Sequence, residues 1–373
     1  MKQRIRPQKD SHRGSVLIRT DSSIGIGTGH VMRCLTLADA LKSVGIEVLF
    51  VCRKQVGHLA ELIESRGHEV RLLQAPESEH NDKHEHKPLS EIDQQKDAEE
   101  TIQALHGLKP GWIVVDHYGL DALWHRSLRM IARKILVIDD LANRALDCDV
   151  LLDQNYYQDP SARYKNFVDT KAICLLGPNY AMLRPEFVQA IDRDHIRVRT
   201  KLERILVFLG GADATNETKK AILAMDQLVG HKFEADVIVG AVNPHTSEIK
   251  QLCDQRAYTT FYQDVGNIAE LMGKADLAIG AGGSTILERC YLKLPSLVMV
   301  LAKNQSESVA DLARVGALES LGWYANVKID QIANSLHDFC QHPEKLNVAG
   351  QKMELVLSHQ NYRGVDGLVE VME

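Results

Sequence analysis

Short segments rich in β-branched and other apolar residues recur along this chain and alternate with longer segments of helical pattern. In the first half they are SVLIRT, EVLFVC, EVRLL, WIVVDH, KILVID and DVLLDQ, and in the second half RILVFLG, ADVIVG, YTTFYQ, DLAIG and SLVMVL. Strands that are apolar throughout, without alternation, are typical of a parallel sheet covered by helices on both faces. The pattern therefore predicts an α/β protein built on parallel sheets.

The helical segments complete this pattern in both halves of the chain. Helices are predicted over residues 30–44, 57–66, 92–105 and 120–131, and then over 217–228, 246–253, 266–272, 284–292 and 306–315. Segment 184–203, RPEFVQAIDRDHIRVRTKLE, separates the halves and is charged, with no strand pattern. We interpret it as a hinge, because 373 residues give room for two cores of ordinary size.

The predicted organisation has three parts. Residues 1–14 are polar and basic and are predicted to be a disordered extension, residues 15–190 to form an N-terminal Rossmann-like domain, and residues 200–373 to form a C-terminal one. One or two helices are predicted after Asp330, at the end of the second domain.

Composition narrows the classes of partner. The net charge is −6 and the isoelectric point about 6.2, which gives no general attraction to nucleic acid or to an anionic membrane surface. No apolar run approaches the roughly 18–20 residues of a membrane span, and no signal-peptide pattern follows the first residues. The seven cysteines show no CxxC pair, which predicts reduced thiols and a cytoplasmic location. The sequence leaves the oligomeric state open.

A glycine-rich stretch with a histidine, IGIGTGH, joins the first predicted strand to the first helix. A dinucleotide fingerprint needs the spacing GxGxxG, but here Gly25, Gly27 and Gly29 alternate and His30 stands where the third glycine belongs. The second strand ends in VCRK, without the acidic residue that would bind a ribose. The stretch therefore argues against NAD binding, and we expect no cofactor.

His30 lies in the predicted first turn of a helix, at the carboxyl end of a strand. The partial positive charge of a helix N-terminus disfavours an imidazolium there, and a neutral imidazole can take a proton from water. The pattern therefore makes His30 a candidate general base. The alternative is a histidine that caps the helix or contacts a phosphate without chemistry.

Other polar residues follow the fourth and fifth predicted strands. Asp116 can hold a partner ring or a sugar hydroxyl and Tyr118 can orient a water, while Asp139 and Asp140 follow the next strand. Ligands in parallel α/β sheets bind beyond the carboxyl ends of strands, so these residues are candidates for a site. Ordinary turns with their own hydrogen bonds are the alternative.

Two glycine-rich loops follow strands of the second half. FLGGADATN contains Gly211, and IGAGGSTILERC places Gly282, Gly283, Ser284 and Thr285 at a helix start. Backbone N–H groups and hydroxyls at such a start can bind a diphosphate without a lysine, and Glu288 lies one turn later, where a ribose would be. The loops predict a nucleotide site, and ordinary tight turns are the alternative.

The sequence lacks the motifs of several other kinds of enzyme and of metal sites. The chain contains no GxxxxGK[ST] phosphate loop and no GxSxG nucleophile elbow. The most polar segment, 76–98, holds His80, His84 and His86, whose spacing fits no metal-ligand pattern. No acidic pair is placed to hold Mg²⁺ beside a diphosphate. We therefore expect no metal site.

Two such domains with a nucleotide loop in the second resemble the GT-B fold of nucleotide-sugar enzymes, in which the domains face one another across a cleft. The GAGGST…E element is similar to the donor site of the glucosaminyltransferase of lipid II synthesis. RTDSSIGIGTGHVMRCLTLADAL, VVDHYGLD, LLGPNYAMLRPEF, FLGGAD and GAGGSTILERCYLKLPSLV…AKNQ resemble more narrowly the UDP-sugar hydrolases of pseudaminic acid biosynthesis and their spore-coat relatives. This resemblance covers about residues 15–370, and the basic N-terminus and the polar segment at 76–92 depart from it.

The resemblance implies a reaction and a set of residues. The family hydrolyses UDP-2,4-diacetamido-2,4,6-trideoxy-β-L-altrose to UDP and free sugar with inversion at C1. The resemblance implies a UDP-sugar as partner, and it implies that His30, Tyr118 and Asn304 are the catalytic residues. The substrate-binding residues expected from the motifs are Asp21, Gly27, Gly29, Arg33, Arg184, Gly211, Gly282, Gly283, Ser284, Thr285, Glu288 and Gln305, with Glu288 on the uridine ribose.

Two rival functions fit the same scaffold. A glycosyltransferase would use His30 to activate an acceptor hydroxyl in place of water, and it would need an exposed apolar or basic acceptor patch on the first domain. The sequence shows no basic-aromatic cluster of that kind, and only 5% of its residues are aromatic. A non-catalytic UDP-sugar-binding protein would keep the glycine loops of the second half and would not need His30.

Overall fold

The computed structural model describes residues 14–75, 89–192, 198–228 and 230–373. The predicted disordered extension lies outside the described residues except for Gly14, and so do His80, His84 and His86. In the part of the chain that is described, no helix is long and apolar enough to cross a membrane. All seven cysteines lie in this part, and none forms a disulfide.

The first domain is built on a seven-stranded parallel sheet of order β3-β2-β1-β4-β5-β6-β7. Its strands are β1 Val16–Thr20, β2 Val48–Arg53, β3 Glu69–Leu73, β4 Trp112–Asp116, β5 Lys134–Ile138, β6 Val150–Asp153 and β7 Ile173–Leu176. Its helices are α1 Gly29–Ser43, α2 Ala60–Ser65, α3 Glu91–Ala104, α4 Ala122–Leu128 and α5 Pro160–Tyr164. The sequence pattern predicts the first six strands and misses β7, an edge strand whose first two residues are exposed.

A helix lies within the segment predicted to be a plain hinge. Helix α6 spans Pro185–Asp192, and proline suits its first position because the N–H it lacks would have no partner there. The Phe187 side chain is fully buried in the core of the second domain, together with Ala181 and Leu183. The segment interpreted as a hinge therefore begins with a helix, and an apolar face anchors that part to the second domain.

The second domain has a six-stranded parallel sheet of order β10-β9-β8-β11-β12-β13. Its strands are β8 Arg204–Phe208, β9 Glu234–Val239, β10 Thr259–Gln263, β11 Leu277–Ala281, β12 Ser296–Val300 and β13 Glu319–Trp323. Its helices are α7 Glu217–Asp226, α8 Thr246–Asp254, α9 Ile268–Lys274, α10 Thr285–Tyr291, α11 Gln305–Arg314, α12 Ile329–Gln341 and α13 Glu344–Val356. The sequence pattern misses β13, an edge strand that contains Gly322 and pairs with β12 through a register shift.

The last helix returns to the first domain. Helix α14, Gly364–Met372, buries Leu368 and Met372 in the same core as Val16 and Ile18, and Trp112 Nε1 donates to the Met372 carbonyl oxygen at 2.9 Å. Its apolar face covers α1 and the first sheet. The predicted C-terminal domain boundary at 373 is therefore corrected, because the end of the chain belongs to the first domain's core.

The buried strands explain why both sheets are parallel. Strands β1, β4, β11 and β12 are buried at every residue, as the continuous apolar segments predict. Each sheet is packed on both faces, with two separate apolar clusters in each domain. Polar chemistry is therefore left to the loops at the carboxyl ends of the strands, where the two domains meet.

Candidate active site

His30 lies in the first turn of α1 and is held by the end of the neighbouring strand. Strands β1 and β4 pair in register from Val16 to Thr20, which puts the loop after β1 beside Asp116. The His30 Nδ1 atom is 2.6 Å from Asp116 Oδ1, and the histidine is only 8% exposed. Within the described part of the chain, no group hydrogen-bonds to His30 Nε2.

The state of Asp116 decides which nitrogen of His30 carries the proton. Arg33, one turn further along α1, donates from Nε to Asp116 Oδ2 and from Nη2 to Oδ1, each at 2.6 Å. Burial opposes ionisation of Asp116, but Arg33 and then His30 outweigh it and hold the pKa of this carboxyl well below its usual range. An ionised carboxylate only accepts hydrogen bonds, so Nδ1 carries the hydrogen and the Nε2 lone pair can accept a proton.

Arg33 was expected to contact substrate, and the structure gives it another position. Its side chain is 9% exposed, its fork is occupied by Asp116, and its Nη1 lies 3.7 Å from Asp140. Two of its guanidinium nitrogens therefore support Asp116, and the substrate contact expected of Arg33 stays a prediction.

Tyr118 connects His30 to the second domain. The two rings meet edge to face, with centroids 4.5 Å apart. The Asn304 Nδ2 atom, at the start of α11, donates across the domain boundary to the Tyr118 hydroxyl at 3.0 Å. Asn304 Oδ1 is buried and has no hydrogen-bond partner among the described residues, which leaves an acceptor on the side chain that contacts Tyr118. The fold thus brings together the three residues predicted to be catalytic.

The glycines of the two domains allow their loops to come close. A Cβ added at Gly29 would lie 3.9 Å from Ser284 Oγ, and one at Gly211 would lie 2.8 Å from Thr28 Oγ1. Gly27 has a φ of +85° and closes a turn in which its N–H donates to the Ser23 carbonyl oxygen. The histidine loop of the first domain therefore lies directly against both glycine loops of the second.

The loop from Gly282 to Thr285 leads from β11 into α10 and packs on α11. A Cβ at Gly282 would lie 2.7 Å from Val309 and one at Gly283 3.7 Å from Gln305 Nε2, while Gln305 Oε1 accepts from the Leu301 N–H at 2.9 Å. The Ser284 hydroxyl makes no capping bond to the helix. Backbone N–H groups, this hydroxyl and the Gln305 amide are donors suited to an anion.

Glu288, one turn into α10, is the predicted ribose contact. It is 9% exposed, and Arg184 Nε donates to its Oε1 at 3.0 Å. Its Oε2 is buried without a hydrogen-bond partner in the described part of the chain. Burial raises the pKa of Glu288, and Arg184 opposes that shift. The arrangement leaves one carboxylate oxygen for the hydroxyls of a ligand.

Two cavities have very different positions. A small one of about 30 Å³ lies between α1 and α10 and is lined by Arg33, Arg184, Ser284 and Glu288. It is far too small for a sugar nucleotide, so ligand entry there requires the domains to part. A larger cavity of about 1230 Å³ lies at the amino-terminal edge of the second sheet, beside Arg204 and Glu234. Ligands of parallel sheets bind at the opposite edge.

Asp21 was also expected to contact substrate. It is 2% exposed, and its oxygens accept from Arg19 at 2.6 Å, from the Arg53 N–H at 2.7 Å and from His117 at 3.1 Å. We therefore revise its expected role to support of the loop after β1, because protein donors occupy its carboxylate.

The expected catalytic and substrate-binding residues did not include two acidic residues at strand ends, Asp116 and Asp140. Asp116 orients His30, and Asp140, at the end of β5, has a buried Oδ1 with no hydrogen-bond partner among the described residues. Their place after the fourth and fifth strands marks both as candidates in sequence. Which atoms they contact depends on pairings between strands far apart in the chain, and the motifs do not contain that information.

This architecture defines the class of fold. Two parallel-sheet domains whose strand ends face each other form the GT-B fold, which confirms the predicted fold class. The chain matches Acinetobacter baumannii MurG with a TM-score of 0.63 and 13% identity, covering 96% of this chain and 99% of that one. It matches the spinosyn rhamnosyltransferase SpnG complexed with thymidine diphosphate with a TM-score of 0.59 and 16% identity, over 96% and 99% of the two chains. At these identities the likeness concerns the fold.

Sequence comparison adds distant relatives. Residues 204–362 match the glycosyltransferase family 28 C-terminal domain. The chain is 26% identical to the UDP-2,4-diacetamido-2,4,6-trideoxy-β-L-altropyranose hydrolase of Campylobacter jejuni, over 81% of this chain and 97% of that protein. It is 24% identical to an uncharacterized protein of Methanocaldococcus jannaschii over 79% of this chain, and it spans only 57% of that relative's length. It is also 26% identical to the Bacillus subtilis spore coat polysaccharide biosynthesis protein SpsG, over 51% of this chain and 55% of that protein.

Proposed function

We propose that this protein hydrolyses UDP-2,4-diacetamido-2,4,6-trideoxy-β-L-altrose to UDP and the free sugar, with inversion at C1. The observation that carries the proposal is the 2.6 Å contact between His30 and Asp116 at the boundary with the second domain's glycine loops. It supplies an oriented base where a nucleotide sugar would cross the cleft. The similarity to the Campylobacter hydrolase over 97% of its length supports the choice of substrate.

In this proposal UDP binds to the second domain. Its diphosphate lies against Gly282, Gly283, Ser284 and Thr285, with Gly211 from the neighbouring loop and the Gln305 amide as a further donor. The ribose hydroxyls bind Glu288 Oε2, the buried oxygen that has no hydrogen-bond partner among the described residues. The sugar then extends towards His30, because Gly29 lies against Ser284.

The reaction follows from the proton assignment on His30. Nδ1–H donates to Asp116, and Nε2 takes a proton from a water whose oxygen bonds to C1 on the face opposite the diphosphate. As that bond forms, the bond from C1 to the diphosphate oxygen breaks and its electron pair leaves with UDP. Asn304 and Tyr118, joined by a 3.0 Å hydrogen bond, hold the water or the sugar beside the ring.

The test replaces the base in the variant His30→Asn and compares it with a matched control. A positioned general base is worth roughly 10²–10⁴ in rate, so turnover should fall on that scale while UDP affinity changes little. His68→Asn is the control, because His68 is also buried and also contacts an aspartate, Asp39, at 2.8 Å away from the cleft. Near-normal turnover in the His30→Asn protein would exclude the role of base. NMR of the first anomer released tests inversion.

A glycosyltransferase is the second candidate, and an exposed apolar patch favours it. Ile24 and Ile26 are each 42% exposed and Val56 is 72% exposed, and the Ile24 N–H donates to the Val56 carbonyl oxygen. Ile24 and Ile26 lie on the loop that leads into His30 and Val56 lies on the loop after β2, in the first domain, where an acceptor would bind. The match of residues 204–362 to the family 28 domain is compatible with this activity.

One incubation separates these candidates. UDP-sugars of the 6-deoxy-diacetamido class are mixed with the protein without any acceptor, and UDP and free sugar are measured together. Rapid release of both in equal amounts supports hydrolysis. UDP binding without release until an acceptor is added indicates a transferase. UDP binding with no turnover of any UDP-sugar, with or without acceptors, indicates a non-catalytic binding protein.

A further inference from the structure

A buried arginine without an ion-pair partner lies beneath the glycine loops of the second domain. Arg289 on α10 is 1% exposed. Its Nη2 donates to the carbonyl oxygen of Ala281, the last residue of β11, at 2.7 Å. No carboxylate lies within ion-pair distance of its guanidinium in the part of the chain that the structure describes. Glu288, the preceding residue, directs its Oε1 to Arg184 instead.

Other buried arginines near the cleft differ from Arg289, because they have carboxylate partners. Arg19 is fully buried and has two carboxylate partners, Asp21 and Asp97, and Arg33 has Asp116. Their pKa values are raised well above the usual value, because these partners outweigh burial. Burial instead lowers the pKa of Arg289 to about 10, although Cys290 and Glu288 oppose this shift, so the group remains a cation at neutral pH. A buried charge with no carboxylate in ion-pair contact is costly, and an anion bound nearby would offset that cost.

Gly280 makes room for this charge at the edge of the sheet. A Cβ at Gly280 would overlap the guanidinium of Arg289 and would lie 3.2 Å from the carbonyl oxygen of Phe208, the last residue of β8. The charge therefore lies where the carboxyl ends of β8 and β11 meet. Both glycine loops, with Gly211 and with Gly282, start from these two strands.

We propose that Arg289 is the buried counter-charge for the diphosphate of the bound nucleotide, acting through the glycine loops rather than by direct contact. This inference rests on the proposed function, since it takes UDP to bind at those loops. It makes Arg289 a positioning residue for an anionic ligand. The positive charge is supplied from inside the domain, which is consistent with loops that contain no lysine or arginine.

The test compares a charged with an uncharged ligand of the same site. The affinities of UDP and of uridine are measured by calorimetry and by competition, for wild type, Arg289→Gln and Arg289→Lys. A unit charge several ångström from a diphosphate, at an effective dielectric constant of about 20, changes affinity by roughly tenfold or more. We expect Arg289→Gln to weaken UDP by that factor and uridine by less than about twofold. Arg289→Lys should retain most of the preference for UDP.

A matched control and the thermal midpoint separate charge from structure. Arg199 is 2% exposed and donates to the carbonyl oxygens of Ala275 and Leu292, at the other edge of the same domain. Arg199→Gln should lower the midpoint without changing the preference for UDP over uridine. Arg289→Gln should lower the unliganded midpoint by less, because it removes a buried charge and retains an amide donor for Ala281.

The outcomes are distinct. Loss of UDP preference in Arg289→Gln with rescue in Arg289→Lys supports the proposal. Equal losses for UDP and uridine, an unchanged preference in Arg289→Gln, or no rescue by lysine would overturn it. If wild type binds neither ligand, nucleotide binding by the second domain fails and this inference fails with it. If wild type binds UDP and only the variants disagree, the inference alone is wrong.

Discussion

The Nδ1 atom of His30 lies 2.6 Å from Oδ1 of Asp116, and the same carboxylate accepts both arms of the Arg33 fork. One buried carboxylate thus orients a base and neutralises a buried cation. Removing it has two separable consequences, one for chemistry and one for stability.

For the chemistry, Asp116→Asn should reduce turnover by roughly 10²–10⁴, because an amide does not enforce the Nδ1–H form of His30. For stability, it leaves Arg33 buried without its ionised partner, which typically costs about 3–5 kcal/mol. Initial rates and thermal unfolding check the two effects. Asp39→Asn, which removes the aspartate partner of His68, is the control and should leave turnover unchanged. Full turnover with Asn at 116 would contradict the orienting role.

The bond from Asn304 to Tyr118 crosses the domain boundary and predicts non-additive kinetics. If the two side chains act as one unit, Tyr118→Phe and Asn304→Ala should each lower kcat, and the double variant should lose little more than the more severe single variant. Steady-state rates of the four proteins complete the cycle. Losses that multiply would show that the two residues act independently and that the 3.0 Å contact is incidental to catalysis.

The contact between Arg184 and Glu288 predicts discrimination between riboses. A hydrogen bond to a charged group contributes about 1.5–3 kcal/mol, so wild type should prefer UDP over 2′-deoxy-UDP by about ten- to a hundredfold. Arg184→Met should reduce this preference, measured as a ratio of dissociation constants. Arg256→Met is the matched control, because Arg256 also pairs with an acid, Asp226, and also lies 5.0 Å over a phenylalanine ring.

The same variant should acquire a pH dependence of known sign. Burial raises the pKa of Glu288, and Arg184 and then Arg289 oppose it while Glu186 adds to it. Without Arg184 the pKa rises further, so the carboxylate protonates earlier as pH falls. The preference for UDP over 2′-deoxy-UDP should therefore decline more steeply with falling pH in Arg184→Met than in wild type. Taking the ratio cancels the titration of the phosphate itself. Parallel pH profiles would contradict this account.

The close approach of Gly211 to Thr28 predicts that a substitution at Thr28 will restore activity lost by a substitution at Gly211. A Cβ at Gly211 would lie 2.8 Å from Thr28 Oγ1, so Gly211→Ala should hold the loops apart and lower kcat/KM. Thr28→Ala removes the two atoms nearest to that Cβ and leaves the threonine Cβ at 3.8 Å, an ordinary contact. The double variant should therefore recover activity relative to Gly211→Ala. Failure of the second substitution to restore any activity would show that the defect lies in the loop itself.

Asp153, at the end of β6, predicts a loss of stability at alkaline pH. Burial, reinforced by Asp140, raises its pKa to about 8. A carboxyl whose folded pKa lies above its unfolded value of about 3.9 stabilises fully below that unfolded value, and the contribution is lost as pH rises through 8. Asp153→Asn should therefore gain thermal stability relative to wild type as pH rises from 5 to 9. A difference that is constant over this range would contradict the raised pKa.

Much of the fold could be predicted from local pattern. Eleven of the thirteen strands in the described chain coincide with predicted segments. Those in the middle of each sheet are the most apolar, because a strand buried on both faces needs apolar side chains. The two that were missed, β7 and β13, are both edge strands. Strand β7 is an apolar segment of only four residues, and β13 contains Glu319 and Gly322. Helix α14 was placed in the wrong domain, because an apolar helix face does not specify which of two sheets it will cover.

For the candidate site too, some residues could be identified from the sequence and others could not. His30, the glycine loops and Glu288 could be singled out in sequence, because glycines at strand ends and polar residues at helix starts have recognisable spacing. Asp21 and Arg33 were assigned to substrate for the same reason, and the structure shows protein partners on both. Arg289 was passed over, since an arginine inside a helical segment gives no sign that it will be buried without an acid.

What the amino-acid order determined by itself is therefore the alternation of buried strands and covering helices, and the places along it where the backbone can turn tightly enough to leave donors for an anion. Which carboxylate faces which cation was decided only by the tertiary structure. Ion pairs such as Arg33 with Asp116, and the lack of one at Arg289, depend on strand order and on two domains meeting. Such ion pairs join residues that are far apart in the chain, and the local sequence pattern does not determine which residues will meet.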